Sequence, residues 1–306
     1  MRDTPPPLEQ SQTLLIHSKA GQVRAQRKNR RQLSGIVVHG VLITGATLMI
    51  IPLLWMLSTA FKQSGQEWVY PPVWIPSPIY WQNYPEAMAV LQQPFYRYVL
   101  NTLIITLGAT TGTVFSASLA AFSFSRLRFK GRDTLFTLVI ATMMLPTIVT
   151  LIPHFLIFKT LGWLDTFLPL IVPSWFGASA FSIFLLRQFF MSIPRELDEA
   201  ARVDGASSLQ IFWNIILPLT GPALATVIIF QVMWRWNDFM DPLIYLNTEG
   251  NYTLALALRT FQNVRSLRVN YLMALSSLQV VPVMLLFFLA QRYFIRGIAL
   301  TGLGGK

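Results

Sequence analysis

Six apolar stretches run along the chain, separated by polar or basic segments. Each is roughly 20 residues or longer, the length that an α-helix needs to cross a bilayer at about 1.5 Å per residue. Their approximate bounds are 36–61, 99–124, 135–158, 167–190, 217–246 and 271–294. This pattern predicts an all-α fold, a polytopic membrane protein with six transmembrane helices.

The polar segments divide the chain into four parts. Residues 1–35 form a basic tail, and residues 36–97 hold the first helix and a long loop. Residues 98–292 hold the other five helices, and residues 293–306 form a second tail. Several spans contain proline, which a helical bundle tolerates where neighbouring groups satisfy the freed carbonyls, so kinked helices are expected.

Charge indicates the orientation and the class of partner. Of the 306 residues, 53% are hydrophobic and 12% are charged, about half the charged share of soluble domains. The net charge of +11 would suit a nucleic-acid partner, but the basic residues lie between apolar runs. Of the 24 Lys and Arg residues, 17 fall on one side of the predicted membrane and six on the other. The excess marks the cytoplasmic side, so both termini are expected there and no nucleic acid is expected to bind.

The loop over residues 62–97 is the longest segment on the predicted outer side and is rich in Trp, Tyr and Pro. Trp68, Tyr70 and Trp74 are among its aromatic residues. Two interpretations stay open. The aromatic side chains line the membrane interface, or they contact an external partner.

The cytoplasmic segment over residues 193–218 has a pattern of its own. Pro194 suits the first turn of a helix, and the acidic residues after it suit the positive N-terminal end of that helix. These acidic residues are Glu196, Asp198 and Glu199. Gly205 suits a left-handed helix end, and a second, amphipathic helix then runs to Pro218. The segment therefore predicts a short acid-headed helix, a glycine turn and a second helix.

Small residues keep the surface of the first of these helices thin. Ala200 and Ala201 are strong helix formers and add almost no side-chain bulk. A thin face flanked by charges fits a groove on another protein, and it fits an ordinary solvated hairpin equally well. The residue pattern by itself leaves both interpretations open.

The same segment resembles a known motif. Its spacing is that of the EAA signature of ABC importer membrane subunits, and it is met by Glu199, Ala200, Ala201, Gly205, Ile215, Leu217 and Pro218. Further stretches that resemble this family are 121–132, 145–153, 184–190 and 236–239. Residues 296–302 resemble the C-terminal tail of its carbohydrate branch, the MalG-like permeases.

The resemblance implies a type I ABC importer permease bundle in the bacterial inner membrane. Its expected partners are a sister permease, two copies of a cytoplasmic ATPase, and an external solute-binding protein or lipoprotein. ATP and Mg²⁺ would bind to the ATPase subunits, so this chain is expected to bind no cofactor and not to be an enzyme. The expected solute is a sugar, either a disaccharide, an oligosaccharide or a sugar-like polyol, and a permease for another small polar solute is the alternative.

The resemblance also implies roles for single residues of the EAA segment. Glu199 would contact a basic residue of the ATPase, while Ala200 and Ala201 would allow close approach. Gly205 would make the turn. The expected ATPase-coupling residues are therefore Glu199, Ala200, Ala201, Asp204 and Gly205. ATP-driven closure of the ATPase dimer would push this segment and rock the bundle between two states.

The predicted fifth span carries a second group of polar side chains. Gln231, Arg235 and Asp238 fall on one helical stripe at i, i+4 and i+7, and the last two are spaced to form an ion pair. Either the pair anchors the helix at the interface, or the stripe lines the translocation path. Arg235 stands where the resemblance leads us to expect a small or apolar residue.

Other chemistries lack their sequence features. The terminal Gly304, Gly305 and Lys306 have neither the first glycine nor the hydroxyl residue of a phosphate-binding loop. The three histidines are far apart, so no metal site is expected, and the chain has no cysteine. A self-contained secondary transporter would show more spans, an inverted repeat or coupling-ion ligands, and a membrane enzyme would show a catalytic cluster.

Overall fold

The computed structural model describes residues 35, 37–177, 179–264 and 268–302, with the backbone alone at 262–264 and 292–302. The predicted basic tail lies outside these residues, apart from its last position. The chain divides into two units, Met1–Ser58 and Thr59–Lys306. Throughout the described ranges the secondary structure is helical, with turns and no β-strand.

The first helix, α1, covers Val37–Ala60. After a single 3-10 turn at Gln66–Trp68, helix α2 covers Asn83–Ala89. The later helices are α3 (Phe95–Arg126), α4 (Arg132–Thr142), α5 (Thr147–Thr160), α6 (Leu168–Ile171), α7 (Ala180–Ser192), α8 (Glu196–Val203), α9 (Ser208–Ile211), α10 (Leu217–Leu219), α11 (Gly221–Trp236), α12 (Met240–Tyr245), α13 (Leu254–Val264) and α14 (Val269–Gly302). Short 3-10 helices cover Val172–Phe176 and Glu249–Asn251, and a π-helical turn covers Phe212–Ile216.

Six membrane crossings are compatible with these helices. In the described part of the chain, four are long and apolar enough to span a membrane, and two bent pairs bring the number to six. The four are α1, α3, the run Leu168–Ser192 and the run Val269–Gln291. The predicted all-α, multi-pass fold is therefore confirmed, although the predicted third, fourth and fifth spans are not single straight helices.

The predicted third span is broken in its middle. Helices α4 and α5 meet at 98°, and Pro146 lies in the break. A proline disfavours helical geometry in the residue before it; α4 ends at Thr142, a turn follows, and α5 begins directly after Pro146. The sequence predicts a span with a proline kink over 135–158; the structure has a sharper break there, with two helices in place of one kinked helix.

The predicted fifth span, 217–246, starts within four residues of α11 but extends too far at its C-terminal end. A helical run over Ser208–Leu219 meets α11 at 78°, and α11 ends at Trp236. Thr220 stands at the bend, where its hydroxyl donates to the Leu217 carbonyl at 2.8 Å. Pro222 then occupies the first turn of α11, the position where a missing N–H is tolerated.

Helix α13 was not predicted, because its 11 residues are too short to span a membrane. Its start is nevertheless buried, with Leu254 exposed by only 1%. The N–H of Leu254 donates to the Thr102 hydroxyl at 2.8 Å, and the Asn101 amide donates to the carbonyls of Gly250 and Tyr252. These bonds fix the segment before α13 against the start of α3.

Helix α3 is the central element of the bundle. Its 32 residues extend about 48 Å. It packs against α11 and against the broken run Leu168–Ser192, which ends in α7. Gly108 and Gly112 let that run approach closely, since a Cβ at these positions would lie 3.1 Å from Ile171 and 2.5 Å from Trp175. The pair is a small-x-x-x-small pattern, which membrane helices use for close packing.

The bundle has two ends that carry different chemistry. One end, termed the EAA end, is next to residues 193–218; there α3 and α7 end and α11 begins. At the opposite end, α3 begins and α11 ends. There, Asp165 accepts hydrogen bonds from the backbone N–H groups of Asn247 and Thr248, the Thr248 hydroxyl and the Asn251 amide. Burial favours a higher pKa for Asp165, but these hydrogen bonds outweigh it and lower the pKa to about 2. An ionised Asp165 therefore ties two loops together at this end.

Candidate functional site

The EAA segment forms the predicted helix and turn. Helix α8 covers Glu196–Val203 with three acidic residues in its first turn. It ends in a Schellman motif, in which the N–H of Ala206 bonds to the Ala201 carbonyl at 2.9 Å and the N–H of Gly205 bonds to the Arg202 carbonyl at 3.0 Å. Gly205 has φ +83°, the left-handed conformation that was expected of it.

The two faces of α8 differ in exposure and in chemistry. The outer face carries residues at i, i+3, i+4 and i+7, namely Glu196, Glu199, Ala200 and Val203, all exposed. This set is termed the α8 stripe, and the apolar side chain of Val203 is 87% exposed. Asp204 and Gly205 continue the exposed surface past the end of the helix. The α8 stripe therefore combines negative charge with small or apolar side chains.

Ala201 does not belong to this exposed surface. It is half-buried and packs against the core cluster that α3, α7 and α11 share. The predicted thin face over Ala200 and Ala201 is thus divided, because consecutive residues in a helix point about 100° apart. Ala200 is available for close approach by a partner, whereas Ala201 allows α8 to lie close to its own bundle.

The helix after the turn has a well-defined start. Ser207 and Gln210 form a reciprocal capping box, with the Gln210 N–H on the Ser207 hydroxyl and the Ser207 N–H on the Gln210 side chain. A π-helical turn follows before Pro218, whose missing N–H cannot continue the α-helical bonding pattern. The second helix of the predicted hairpin is present, and its bend towards α11 comes after it.

A buried ion pair attaches α8 to the bundle. Arg126, the last residue of α3, lies 3.3 Å from Asp198 through Nη1 and Oδ2, with side chains exposed by 2% and 7%. The other terminal nitrogen of Arg126 donates to the carbonyls of Phe190 and Ile193 at 2.6 and 2.8 Å. One guanidinium therefore joins the end of α3, the end of α7 and the inner face of α8.

The polar stripe of α11 faces the break in the run Leu168–Ser192. Gln231 donates from its amide to the hydroxyls of Ser179 and Ser182, at 3.2 and 3.1 Å. Arg235 donates to the hydroxyl of Ser174 at 3.1 Å. The two predicted polar residues of α11 thus meet serines at the point where the neighbouring span loses its regular helix.

Asp238 does not complete the stripe as predicted. Helix α11 ends at Trp236, so Asp238 lies in the turn beyond it, where its carboxylate accepts a bond from the backbone N–H of Asp241. Arg235 instead approaches the carboxylate of Asp241 at 4.0 Å. The expected i, i+3 pair between Arg235 and Asp238 is therefore replaced by a pair that spans a turn.

Comparison with known proteins places this geometry in a family. The family described as "Binding-protein-dependent transport system inner membrane component" matches residues 112–300, which include the EAA segment and the α11 stripe. The chain belongs to this family. The recognition of a multi-pass importer permease of the inner membrane from its motif is thereby confirmed.

Two curated relatives of this inner membrane component cover most of its length. The probable ABC transporter permease protein YurM of Bacillus subtilis is 35% identical over 252 residues, 81% of each chain. The sn-glycerol-3-phosphate transport system permease protein UgpE of Yersinia pestis is 32% identical over 277 residues, 89% of this chain and 98% of the relative.

Solved structures agree with the fold. A chain from a bacterial ABC transporter involved in the import of the acidic polysaccharide alginate has a TM-score of 0.73 and 27% identity. The similarity covers 86% of this inner membrane component and 97% of that chain. A second structure, the alginate transporter in complex with an alginate pentasaccharide-bound periplasmic protein, has a TM-score of 0.63 at 18% identity and supports the fold.

Sequence reasoning about this inner membrane component missed one pair of residues at the site. The sequence places Asp198 in the acidic start of a helix, and Arg126 among the 17 basic residues of one side and in the stretch 121–132 that resembles the family. The two lie 72 positions apart in the chain, so no local pattern joins them. The one available signal was that Asp198 falls on the opposite helical face from Glu199 and Ala200.

Proposed function

We propose that this chain is one of two membrane subunits of an ATP-driven sugar importer, and that α8 docks into a cytoplasmic ATPase. The observation that carries the proposal is the α8 stripe, an exposed acidic and small-residue surface on a helix that is anchored to the bundle. An ordinary solvated hairpin would need no buried ion pair on its inner face. The family match and the motif spacing support the same interpretation.

The chemistry of the α8 stripe fits a groove with basic residues. Glu196 and Glu199 lie one turn apart with Ala200 beside them, so a partner backbone can approach between two carboxylates. A charged contact that is desolvated on docking discriminates strongly between partners. Glu199 is the proposed contact to a basic ATPase residue, and Asp204 and Gly205 extend the docked surface.

The partners supply what this chain lacks. Two ATPase copies would bind ATP and Mg²⁺, a sister permease would complete the translocation path, and an external solute-binding protein or lipoprotein would deliver the solute. The family description, which names binding-protein-dependent transport, supports the last of these partners. No cofactor is proposed for this chain itself.

A sugar or sugar-like polyol is the proposed solute class. Named relatives serve transporters of sn-glycerol-3-phosphate and of the polysaccharide alginate, both polyhydroxylated solutes. The α11 stripe offers amide, guanidinium and carboxylate groups, and such groups form directed hydrogen bonds with sugar hydroxyls. These features support a polar, hydroxyl-rich solute rather than an apolar one.

Reconstitution of the complex tests the proposed assembly. A tagged chain isolated from its own membrane is expected to co-purify with a second permease and an ATPase, and to import labelled sugar into proteoliposomes only when ATP is present. The chain purified alone should give no flux, because it contains half of the path and none of the motor. Robust ATP-independent sugar flux by the single chain would contradict the proposal.

The proposed orientation puts the EAA end and both termini in the cytoplasm. The 17-to-6 division of Lys and Arg supports it. A reporter enzyme that folds only outside the cytoplasm should stay inactive when fused after Lys306 and become active when inserted beside Trp74. The opposite pattern of reporter activity would reverse the assignment.

Gln231 provides a test of the translocation path. Replacing Gln231 by Ala should change the uptake rate differently for different sugars, because the amide would contact solute hydroxyls on their way past the serines. Ile228→Ala, on the exposed face of the same helix, is the matched control. If Gln231→Ala lowers thermal stability and leaves the relative uptake of a panel of sugars unchanged, the stripe is an anchor and not a path.

A further inference from the structure

The ion pair between Arg126 and Asp198 is built differently from a surface contact. Both side chains are buried, and the pair joins the last residue of α3 to the first turn of α8, 72 positions further along the chain. The more exposed pair between Arg132 and Asp133, by contrast, links sequence neighbours in the first turn of α4. Exposed pairs contribute little to stability, whereas removing one partner of a buried pair strands a charge.

The arginine does more than neutralise the aspartate. Phe190 lies in the last turn of α7 and Ile193 just past its end, where carbonyls lack an α-helical partner; the Phe190 carbonyl also accepts the cap N–H of Ile193 at 3.2 Å. Arg126 satisfies both carbonyls from one nitrogen and binds Asp198 through the other. A planar guanidinium holds three acceptors in a fixed geometry, which a lysine ammonium on a flexible stem does not.

The pair is not optimised for stability alone. Arg126 Nε and Asp198 Oδ1 are both buried without a hydrogen-bond partner, and each such atom is unfavourable. Replacing a buried pair by apolar residues of similar size is often neutral or stabilising. A role in fixing geometry accounts for a pair that keeps these unsatisfied atoms.

Helix α8 needs such an attachment if force passes through it. It has eight residues, and only Asp198 and Ala201 of its helical positions turn away from solvent. Ala201 provides a single methyl contact, which resists tilting weakly. The ion pair is therefore the directional connection between α8 and the two long helices behind it.

We infer that Arg126 and Asp198 are positioning residues that transmit motion of α8 to α3 and α7. This inference rests on the proposed coupling function of the α8 stripe. A push on the exposed face of α8 then moves the ends of α3 and α7 as one body instead of tilting α8. Stiff connections of this kind convert a local displacement into a rigid-body change.

The test measures coupling separately from attachment. In the reconstituted full complex, Asp198→Asn should keep the ATPase bound while the number of sugar molecules imported per ATP hydrolysed falls by about tenfold, within the range of typical coupling energies. Arg132→Met, which breaks the more exposed pair at the start of α4, is the control and should leave that ratio unchanged. An Asp198→Asn complex with an unchanged ratio would overturn the inference.

A double variant covers the case in which a stranded arginine prevents folding. Arg126→Met with Asp198→Leu removes both charges, so the chain should insert and bind the ATPase, yet the ratio should still fall because the bonds to the α7 carbonyls are gone. If the double variant couples normally, or if every pair variant is lost from the membrane while Arg132→Met inserts, the pair serves folding and the inference is wrong.

Comparing variants of Glu199 with variants of Asp198 separates this inference from the proposed function. If Glu199→Lys releases the ATPase while Asp198→Asn stays fully coupled, only the transmission role fails. If Glu199→Lys and Gly205→Leu both leave the ATPase bound and stimulated, the docking role of α8 fails, and this inference fails with it.

Discussion

Replacing Glu199 by Lys is expected to release the ATPase from the membrane complex. Glu199 lies at the centre of the exposed α8 stripe, and a lysine there would face a basic partner residue in a desolvated contact. Like charges in such a contact cost several kcal/mol, and about 1.4 kcal/mol already lowers affinity tenfold. Co-purification of the ATPase with the tagged chain, together with sugar-stimulated ATP hydrolysis, measures the loss.

Gly205 variants separate two contributions to the same docking surface. Its φ of +83° disfavours any Cβ, and within this chain the added atom would meet nothing closer than 4 Å. Gly205→Ala therefore reports the conformational strain, roughly 1–2 kcal/mol. Gly205→Leu adds a bulky side chain that would collide with the wall of a partner groove, so its loss of ATPase binding should be clearly larger.

The control for these variants is a charge change elsewhere at the EAA end. Asp133→Lys alters an exposed carboxylate in the first turn of α4 and should leave the ATPase bound. All the variants should insert normally, because the EAA turn contributes nothing to the spans. If Glu199→Lys and Gly205→Leu both retain a stimulated ATPase, α8 is not the coupling element.

Replacing Gly112 by Ala is expected to destabilise the bundle itself. The new Cβ would lie 2.5 Å from the Trp175 ring, well inside van der Waals contact, so the ring or the run Leu168–Ser192 must move. Overpacking of this kind costs about 1–3 kcal/mol. The thermal unfolding midpoint of the purified protein in detergent should fall by several degrees.

A matched glycine tests whether the effect comes from packing. Gly45→Ala adds the same methyl to helix α1 at a position with nothing within 4 Å, and it should leave the midpoint unchanged or raise it. Trp175→Phe, which shrinks the opposing ring, should recover part of the loss in a Gly112→Ala background, as expected for contacting residues. Strictly additive effects of the two substitutions would show that the contact is not responsible.

The sequence determined the class of fold and the location of the coupling turn. Span length and hydrophobicity are local properties, because backbone groups in lipid must be satisfied within each helix. The α8 segment is equally local, since its acidic start, its Gly205 turn and its Ser207 cap involve bonds between residues a few positions apart. Such features can be read in order along the chain.

The tertiary structure alone decided which polar groups meet. Three contacts depend on where helices bend and stop. Arg126 pairs with Asp198, Gln231 contacts two serines, and Arg235 pairs with Asp241 instead of the predicted Asp238. The breaks at Pro146 and Thr220 redirect whole segments, and a hydrophobicity pattern records no direction. Buried polar side chains take the partner that packing brings within about 3 Å, and that partner is set by the arrangement of the helices rather than by spacing along the chain.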